Sequence, residues 1–200
     1  MGRQSKARQK ILRTASNLFW HNGYESTGVA EILEETGLGS GSLYWFFDSK
    51  EDLLLAVLEN YRKKLAEVIE KPAFEQSDDP LERLFAILDF YRRHLVENNF
   101  EFGCPIGNIV LELGDRYPAV RHKTEVLFED WRAMISRCLE PIADGFPGDM
   151  TPDSLAIFVL TIMEGSVMQV RAHKDITYFD ESVRHLKNYF ENLNEKDKNT

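Results

Sequence analysis

The chain has 200 residues, of which 43% are hydrophobic, and a formal net charge of -9. This length can bury a sizeable core and suits one or two domains. We expect a cytoplasmic protein, because no apolar run approaches the roughly 20 residues of a membrane span and the amino terminus is too polar for a signal peptide. Two cysteines and five histidines show no metal-ligand, redox-pair or catalytic spacing, so we expect reduced thiols, no metal, no cofactor and no enzyme.

The charge is divided unevenly along the chain. Residues 1–50 hold six basic and five acidic residues, a balance of +1, whereas residues 51–200 hold 18 basic and 28 acidic residues, a balance of -10. The first thirteen residues contain five of the bases and no acid. This pattern favours a basic arm beside a nucleic-acid site. A solvated charged tail is the alternative.

Helical periodicity persists along the chain and no strand hairpin stands out, which predicts an all-α fold. The first helix is predicted over residues 5–22, and the second runs from a cap at Thr27 to Gly37. A short third helix begins near Gly39 or Ser40. The remaining helices are predicted over residues 50–69, 81–97, 105–113, 118–139, 152–170 and 179–193, with a domain joint over residues 71–80.

The second and third predicted helices form a helix-turn-helix signature. Leu43 and Phe47 are four residues apart and face inward on the third helix. Small and aromatic residues face outward, which permits close approach to the major groove of DNA; these are Ser40, Gly41, Ser42, Tyr44 and Trp45. The pattern predicts a DNA-binding protein.

Residues 10–61 resemble the DNA-binding domain of the TetR family of bacterial regulators. The resemblance is carried by Ile11-Leu12, Ala15, Leu18-Phe19, Gly23-Tyr24, Thr27, Val29, Ile32, Gly37-Leu38, residues 41–44, Phe47, residues 49–51 and Leu53. It implies a helix-turn-helix domain of three helices over residues 1–50. It also implies a C-terminal helical ligand-binding and dimerisation domain over residues 51–200.

Several side chains are expected to contact double-stranded DNA. Base edges or thymine methyl groups are expected to meet Ser42 and Trp45. The N-terminus of the recognition helix, at Gly39, Ser40 and Gly41, is expected to approach a phosphate. The other expected phosphate contacts are Arg3, Lys6, Thr27, Tyr44 and Lys50.

Residues 155–170 leave almost no polar face on their predicted helix. A helix that is apolar all round must be buried on several sides, so one side is expected to meet the core and the other a second copy of the chain. An internal helix of a monomer is the alternative. The TetR resemblance favours the homodimer, since the last two long helices of that family pair as a four-helix bundle. A two-fold dimer predicts a palindromic operator.

Aromatic and polar residues of the second domain could line a cavity for a small organic effector. The candidates are Leu88, Tyr91, Cys104, Asn108, Phe128, Trp131, Glu164 and Met168. For the apolar members, an ordinary core position is the alternative. A carboxylate in an apolar helix must be paired, solvated or at a wet interface, so Glu164 either binds ligand or pairs with an arginine such as Arg132 or Arg171. Residues 102–108, together with Leu111, Glu112 and Leu113, resemble the opening of the sixth helix in a subset of TetR regulators that sense small organic molecules.

These features predict a dimeric transcriptional repressor that an effector releases from its operator. Two other classes of protein are the alternatives. A small all-α enzyme would need a catalytic constellation that the sequence does not offer. A TetR-like protein-interaction or nucleoid module without a ligand would bind DNA independently of sequence or retain a protein partner without DNA.

Overall fold

A computed structural model describes residues 2–39 and 41–196, and for Gly2, Arg3 and residues 194–196 it describes the backbone alone. All secondary structure in these residues is helical, without a strand, which confirms the predicted all-α class. The helices are α1 Gly2–Asn22, α2 Val29–Thr36, α3 Lys50–Lys64, α4 Lys71–Gln76, α5 Pro80–Glu97, α6 Pro105–Leu113, α7 Pro118–Leu139, α8 Pro152–His173 and α9 Thr177–Lys196.

The helix ends follow the capping residues that the sequence offers. Gly37 ends α2 in the left-handed conformation, with φ of 61°, which glycine adopts at little cost. The Ser49 hydroxyl accepts the Asp52 N–H at 3.0 Å before α3. The Thr151 hydroxyl accepts the Ser154 N–H at 3.1 Å before α8. Both hydroxyls satisfy a first-turn donor that has no partner within the helix.

The predicted joint over residues 71–80 is shorter in the structure. A π-helical segment, Leu65–Glu70, joins α3 to α4, and the Lys71 N–H donates to the Ala66 carbonyl five residues earlier. The wider turn precedes Pro72, which has no N–H to give. The chain therefore stays helical through Gln76, and only three residues separate α4 from α5. The last of them, Asp79, caps α5, because its carboxylate accepts the Glu82 N–H at 2.9 Å.

The chain divides into two compact units whose limits differ from the expected boundary at residue 50. The first unit is Met1–Lys63 with Pro105–Leu127, and the second is Lys64–Cys104 with Phe128–Thr200. The sequence motif ends near residue 50, but packing continues because α3 buries Leu53, Leu54, Val57 and Leu58. Much of the core of the first unit is Ile11, Ala15, Phe19, Ile32, Leu43, Phe47, Leu53 and Leu58. Much of the core of the second is Leu84, Ile87, Leu88, Trp131, Ile135, Val159, Val167, Phe179 and Phe190.

Helix α8 contradicts the expectation that no apolar run of the chain approaches the length of a membrane span. Over an 18-residue window its mean hydropathy is 1.4, so by length and composition it could cross a membrane. A core helix of a water-soluble protein passes the same test. One side of α8 is buried in the second unit through Leu155, Ala156, Val159, Met163 and Val167, which accounts for part of this composition, while Ile157, Phe158 and Met168 are exposed.

Candidate functional site

The segment after α2 forms one helical turn instead of the predicted short third helix. Within residues 41–47, the recognition segment, the Trp45 N–H donates to the Gly41 carbonyl at 3.2 Å and the Phe47 N–H to the Leu43 carbonyl at 3.0 Å. Glycine, serine and successive aromatic residues form helix poorly, so the segment does not extend. Its two faces are as expected. Leu43 and Phe47 are 0% and 2% exposed, whereas Tyr44 and Trp45 are 60% and 73% exposed.

The first half of α1 borders the recognition segment. Gln4 and Ala7 of α1 line one surface hollow together with Gly39, Gly41, Ser42, Trp45 and Phe46. Lys6, Lys10 and Arg13 line a second hollow on α1 with Gln9. The expected basic arm is thus part of a helix, and Lys6 and Arg13 are exposed on it. The first half of α1 thus carries exposed cations and also borders the exposed Trp45, a combination suited to phosphates and base edges.

Two bases of the arm also contribute to the fold of the first unit. The Lys10 ammonium donates to the Thr36 carbonyl at 2.6 Å, at the C-terminal end of α2, where cations are favourable. The Arg8 guanidinium lies 5.1 Å from the centroid of the Phe47 ring. Sequence reasoning counted both only as charges, because side-chain partners this distant in sequence leave no local pattern.

The structure contradicts the predicted roles of Thr27. Its side chain is 0% exposed, and its hydroxyl lies 2.7 Å from the Gly23 carbonyl and 3.2 Å from the Leu18 carbonyl. The residue before α2 is instead Gly28, whose N–H donates to the Glu31 carboxylate at 3.3 Å. The expectation that Thr27 caps α2 and contacts phosphate is wrong, because its hydroxyl is committed to the interior.

The structure also contradicts the predicted phosphate contact of Lys50. Its ammonium donates to the Tyr24 carbonyl at 2.5 Å and lies 4.1 Å from the centroid of the Tyr24 ring. Burial lowers the pKa of Lys50, while the nearby carboxylates of Glu25 and Glu112 raise it. The side chain therefore ties the start of α3 to the turn after α1 and is not a free phosphate contact. The Arg3 side chain and Ser40 lie outside the described residues.

Seven of the eight candidate effector residues lie in the second unit, and six of these are at least partly buried. Leu88, Tyr91, Cys104 and Trp131 are buried, and Phe128 and Glu164 are partly buried. The Tyr91 and Trp131 rings meet edge to face with centroids 4.8 Å apart. The Trp131 indole N–H is buried and has no hydrogen-bond partner within the described part of the chain. An unpaired buried donor is uncommon and costs free energy.

Glu164 has a neighbour that the sequence did not indicate. Its carboxyl group hydrogen-bonds with the Cys104 thiol, and burial raises its pKa more strongly than this bond lowers it. Arg132, one of the two arginines considered as its partner, pairs with Glu129 and with Asp153 at 3.3 Å. The Arg132–Glu164 pair, one of the two alternatives for Glu164, is therefore absent from the described residues.

The other two candidates do not join this group. Asn108 lies in the first unit, where it lines a narrow cavity of about 10 Å³ with Ser16, Trp20 and Tyr61 among others. Met168 is 63% exposed. Both expectations followed from helical spacing, which does not determine which side of a helix faces the interior of its own unit.

Comparisons with known proteins agree with this architecture. Residues 11–57 match the family profile described as bacterial regulatory proteins, tetR family. Residues 80–186, more than half of the chain, match the tetracyclin repressor-like C-terminal domain. A crystal structure of a TetR transcriptional regulator from Chloroflexus aurantiacus J-10-FL is 28% identical, with a TM-score of 0.83 and coverage of 94% of this chain and 96% of that chain.

Two relatives extend the similarity over most of the chain. An uncharacterised HTH-type transcriptional regulator in the lacX 3′ region of Lactococcus lactis subsp. lactis is 29% identical, with 94% of this chain and 95% of that protein covered. The HTH-type transcriptional repressor DhaR of Mycobacterium sp. strain GP1 is 26% identical, with 86% of each chain covered.

The fold and the exposed helix-turn-helix therefore define a DNA-binding transcriptional regulator. The chain belongs to the TetR family.

Replacing Trp45 by alanine is expected to weaken binding to a cognate duplex by about 1–3 kcal/mol, the range of a good base contact. The reason is that Trp45 is the most exposed large aromatic side chain of the recognition segment. Fluorescence anisotropy with a labelled duplex measures the change. Tyr178→Ala, which removes an exposed ring from the second unit, is the control and should leave affinity unchanged. Equal affinities of Trp45→Ala and wild type would refute the assignment.

Replacing Glu164 by glutamine is expected to change how stability depends on pH. Burial raises the folded-state pKa of Glu164 above its ordinary 4.5, so its contribution to stability is present below 4.5 and is lost as the pH rises through the folded pKa. The Gln variant should thus gain stability relative to wild type between pH 4.5 and 8, measured by urea unfolding. The exposed Glu101→Gln variant is the control. A stability difference that stays constant with pH contradicts this assignment.

Proposed function

We propose that this chain is a homodimeric, cytoplasmic repressor that binds a palindromic operator and leaves it when a small organic effector binds. The observation that carries the proposal is the recognition segment, whose aromatic residues are exposed while its anchoring residues are buried. A surface Trp and Tyr on a segment of this size contribute little to the fold. They are available for base edges and phosphates.

In the proposed complex, the first unit supplies the DNA contacts. Ser42 and Trp45 reach base edges, and the Tyr44 hydroxyl and Lys6 contact phosphates, with Arg3 and Ser40 as further contacts. A Cβ atom at Gly41 would meet no heavy atom within 4 Å, so the backbone there is open on its outer side. This openness suits close approach to the DNA backbone.

The homodimer is supported by the exposed side of α8. Ile157, Phe158 and Met168 are 49%, 42% and 63% exposed in the single chain, and Gly165 on the same side has no heavy atom within 4 Å of a built Cβ. Thus the apolar face that is not used by the core of the second unit is available to a second copy. Two copies related by a two-fold axis present two recognition segments about 34–36 Å apart or a multiple of it, which requires a palindrome.

The effector is proposed to bind in the second unit near Tyr91, Trp131 and Glu164. The unpaired Trp131 N–H offers a hydrogen bond to an acceptor on the effector, and the partly buried carboxyl group of Glu164, whether neutral or ionised, disfavours an anionic molecule beside it. The effector must bind the form that is incompetent for DNA more tightly, since equal affinity for both forms shifts nothing. A changed spacing of the two recognition segments would then release the operator.

Selection of duplexes from a pool with a randomised central region tests the proposal, because the operator need not be known beforehand. The expected result is enrichment of a palindromic sequence that the protein prefers over a shuffled duplex by about a thousandfold or more. Equal binding of all duplexes would instead support the alternative of a nucleoid or protein-interaction module.

A charge at Gly165 is expected to dissociate the dimer. A Cβ atom at this position would meet no heavy atom within 4 Å beyond the local backbone of α8, but a two-fold axis would bring two carboxylates into one desolvated contact. Sedimentation velocity at micromolar concentration should show dimers for wild type and monomers for Gly165→Glu. The exposed Ala119→Glu variant adds the same charge on α7 and should remain dimeric. A monomeric wild-type protein would contradict the interface.

A further inference from the structure

The turn between α1 and α2, residues 23–25, is held by a carboxylate that is far away in sequence. One oxygen of Glu112 accepts the Tyr24 N–H at 3.0 Å, and the other accepts the Glu25 N–H at 2.8 Å. Glu112 lies near the C-terminal end of α6, which belongs to the first unit. Two charge-assisted bonds from one carboxylate fix both the position and the orientation of the turn.

Gly23 makes this approach possible. Its φ is +85°, a conformation that other residues seldom adopt. A Cβ atom on Gly23 would also lie 3.2 Å from a Glu112 carboxylate oxygen. The turn therefore requires glycine for its backbone conformation, and the missing Cβ leaves room for the carboxylate to approach closely.

Further contacts hold the same turn from either side. The Arg116 guanidinium donates to the Glu25 carboxylate at 2.8 Å, and the Tyr117 ring meets the Tyr24 ring with centroids 5.8 Å apart. From α3, Lys50 donates to the Tyr24 carbonyl at 2.5 Å. The backbone of Tyr24 is thus bound at its N–H by α6 and at its carbonyl by α3.

The turn leads directly into the helix-turn-helix. Thr27, two residues after Glu25, is buried, and its hydroxyl hydrogen-bonds to a carbonyl of α1 and to the Gly23 carbonyl. Helix α2 begins two residues later, at Val29. A displaced turn would therefore displace the start of α2, and with it the recognition segment. The sequence motif ends before α6, so nothing in it indicates that a residue at position 112 takes part.

We propose that Glu112 is a positioning residue for DNA binding: its carboxylate holds residues 23–25 and keeps the helix-turn-helix in the arrangement that fits DNA. This role rests on the proposed function, because it needs a duplex that the recognition segment reads. It adds a residue from outside the helix-turn-helix to the groups that determine operator affinity.

The first part of the test needs no DNA. Amide hydrogen exchange at Tyr24 and Glu25, followed by NMR, is compared between wild type and Glu112→Gln. A glutamine retains the size of the side chain but has one acceptor oxygen and no charge, so exchange should be about tenfold or more faster at one or both amides, the equivalent of one lost hydrogen bond to a charged group. Asp115→Asn removes an exposed carboxylate nearby and should leave both amides unchanged. Unchanged exchange in Glu112→Gln would overturn the proposal.

The second part measures affinity for a duplex that the wild-type protein selects from a randomised pool, and for a shuffled version of it. Glu112→Gln should bind the selected duplex roughly 2- to 30-fold more weakly and the shuffled duplex no more weakly, at a temperature where circular dichroism shows both proteins folded. Asp115→Asn, which changes net charge equally, should show no loss. Faster exchange with undiminished affinity would overturn the positioning role. Failure of the wild type to prefer any duplex would overturn the proposed function itself.

Discussion

The exposed face of the recognition segment depends on the burial of two side chains, Leu43 and Phe47. The recognition segment is a single helical turn, and so short a helix is unstable alone because nucleation costs more than its few hydrogen bonds return. Its conformation therefore has to come from packing, and Leu43 and Phe47 are 0% and 2% exposed. With these two residues fixed one turn apart, Tyr44 and Trp45 between them have to point outward.

Charge is distributed unevenly along the chain, with basic residues concentrated at its amino-terminal end. Exposed bases on α1 lie beside the recognition segment, while residues 51–200 carry a balance of -10. An acidic remainder repels DNA wherever it lacks a complementary surface. The basic half of α1 can then orient the approaching duplex towards the recognition segment, an effect that weakens as salt increases.

The helices could be predicted from the sequence because their ends are determined locally. Thr151 with Pro152, Ser49 and Gly37 act within a few residues of themselves, so caps and breaks are visible in the sequence. The long-range partners were not visible. Lys50 has a flexible side chain that reaches the Tyr24 carbonyl, and Thr27 found buried carbonyls instead of solvent. Similarly, helical spacing placed Met168 and Asn108 correctly on helices but could not choose between the interior and the surface, or between the two units.

We propose that the two recognition segments of a homodimer read one palindromic duplex, and a crystal structure of the protein with its selected duplex tests this directly. It should show two chains on one duplex, with Trp45 of each chain at base edges in major grooves that are about 34–36 Å apart or a multiple of it. A complex in which Trp45 faces solvent, or in which one chain binds through phosphates alone, would contradict the claim.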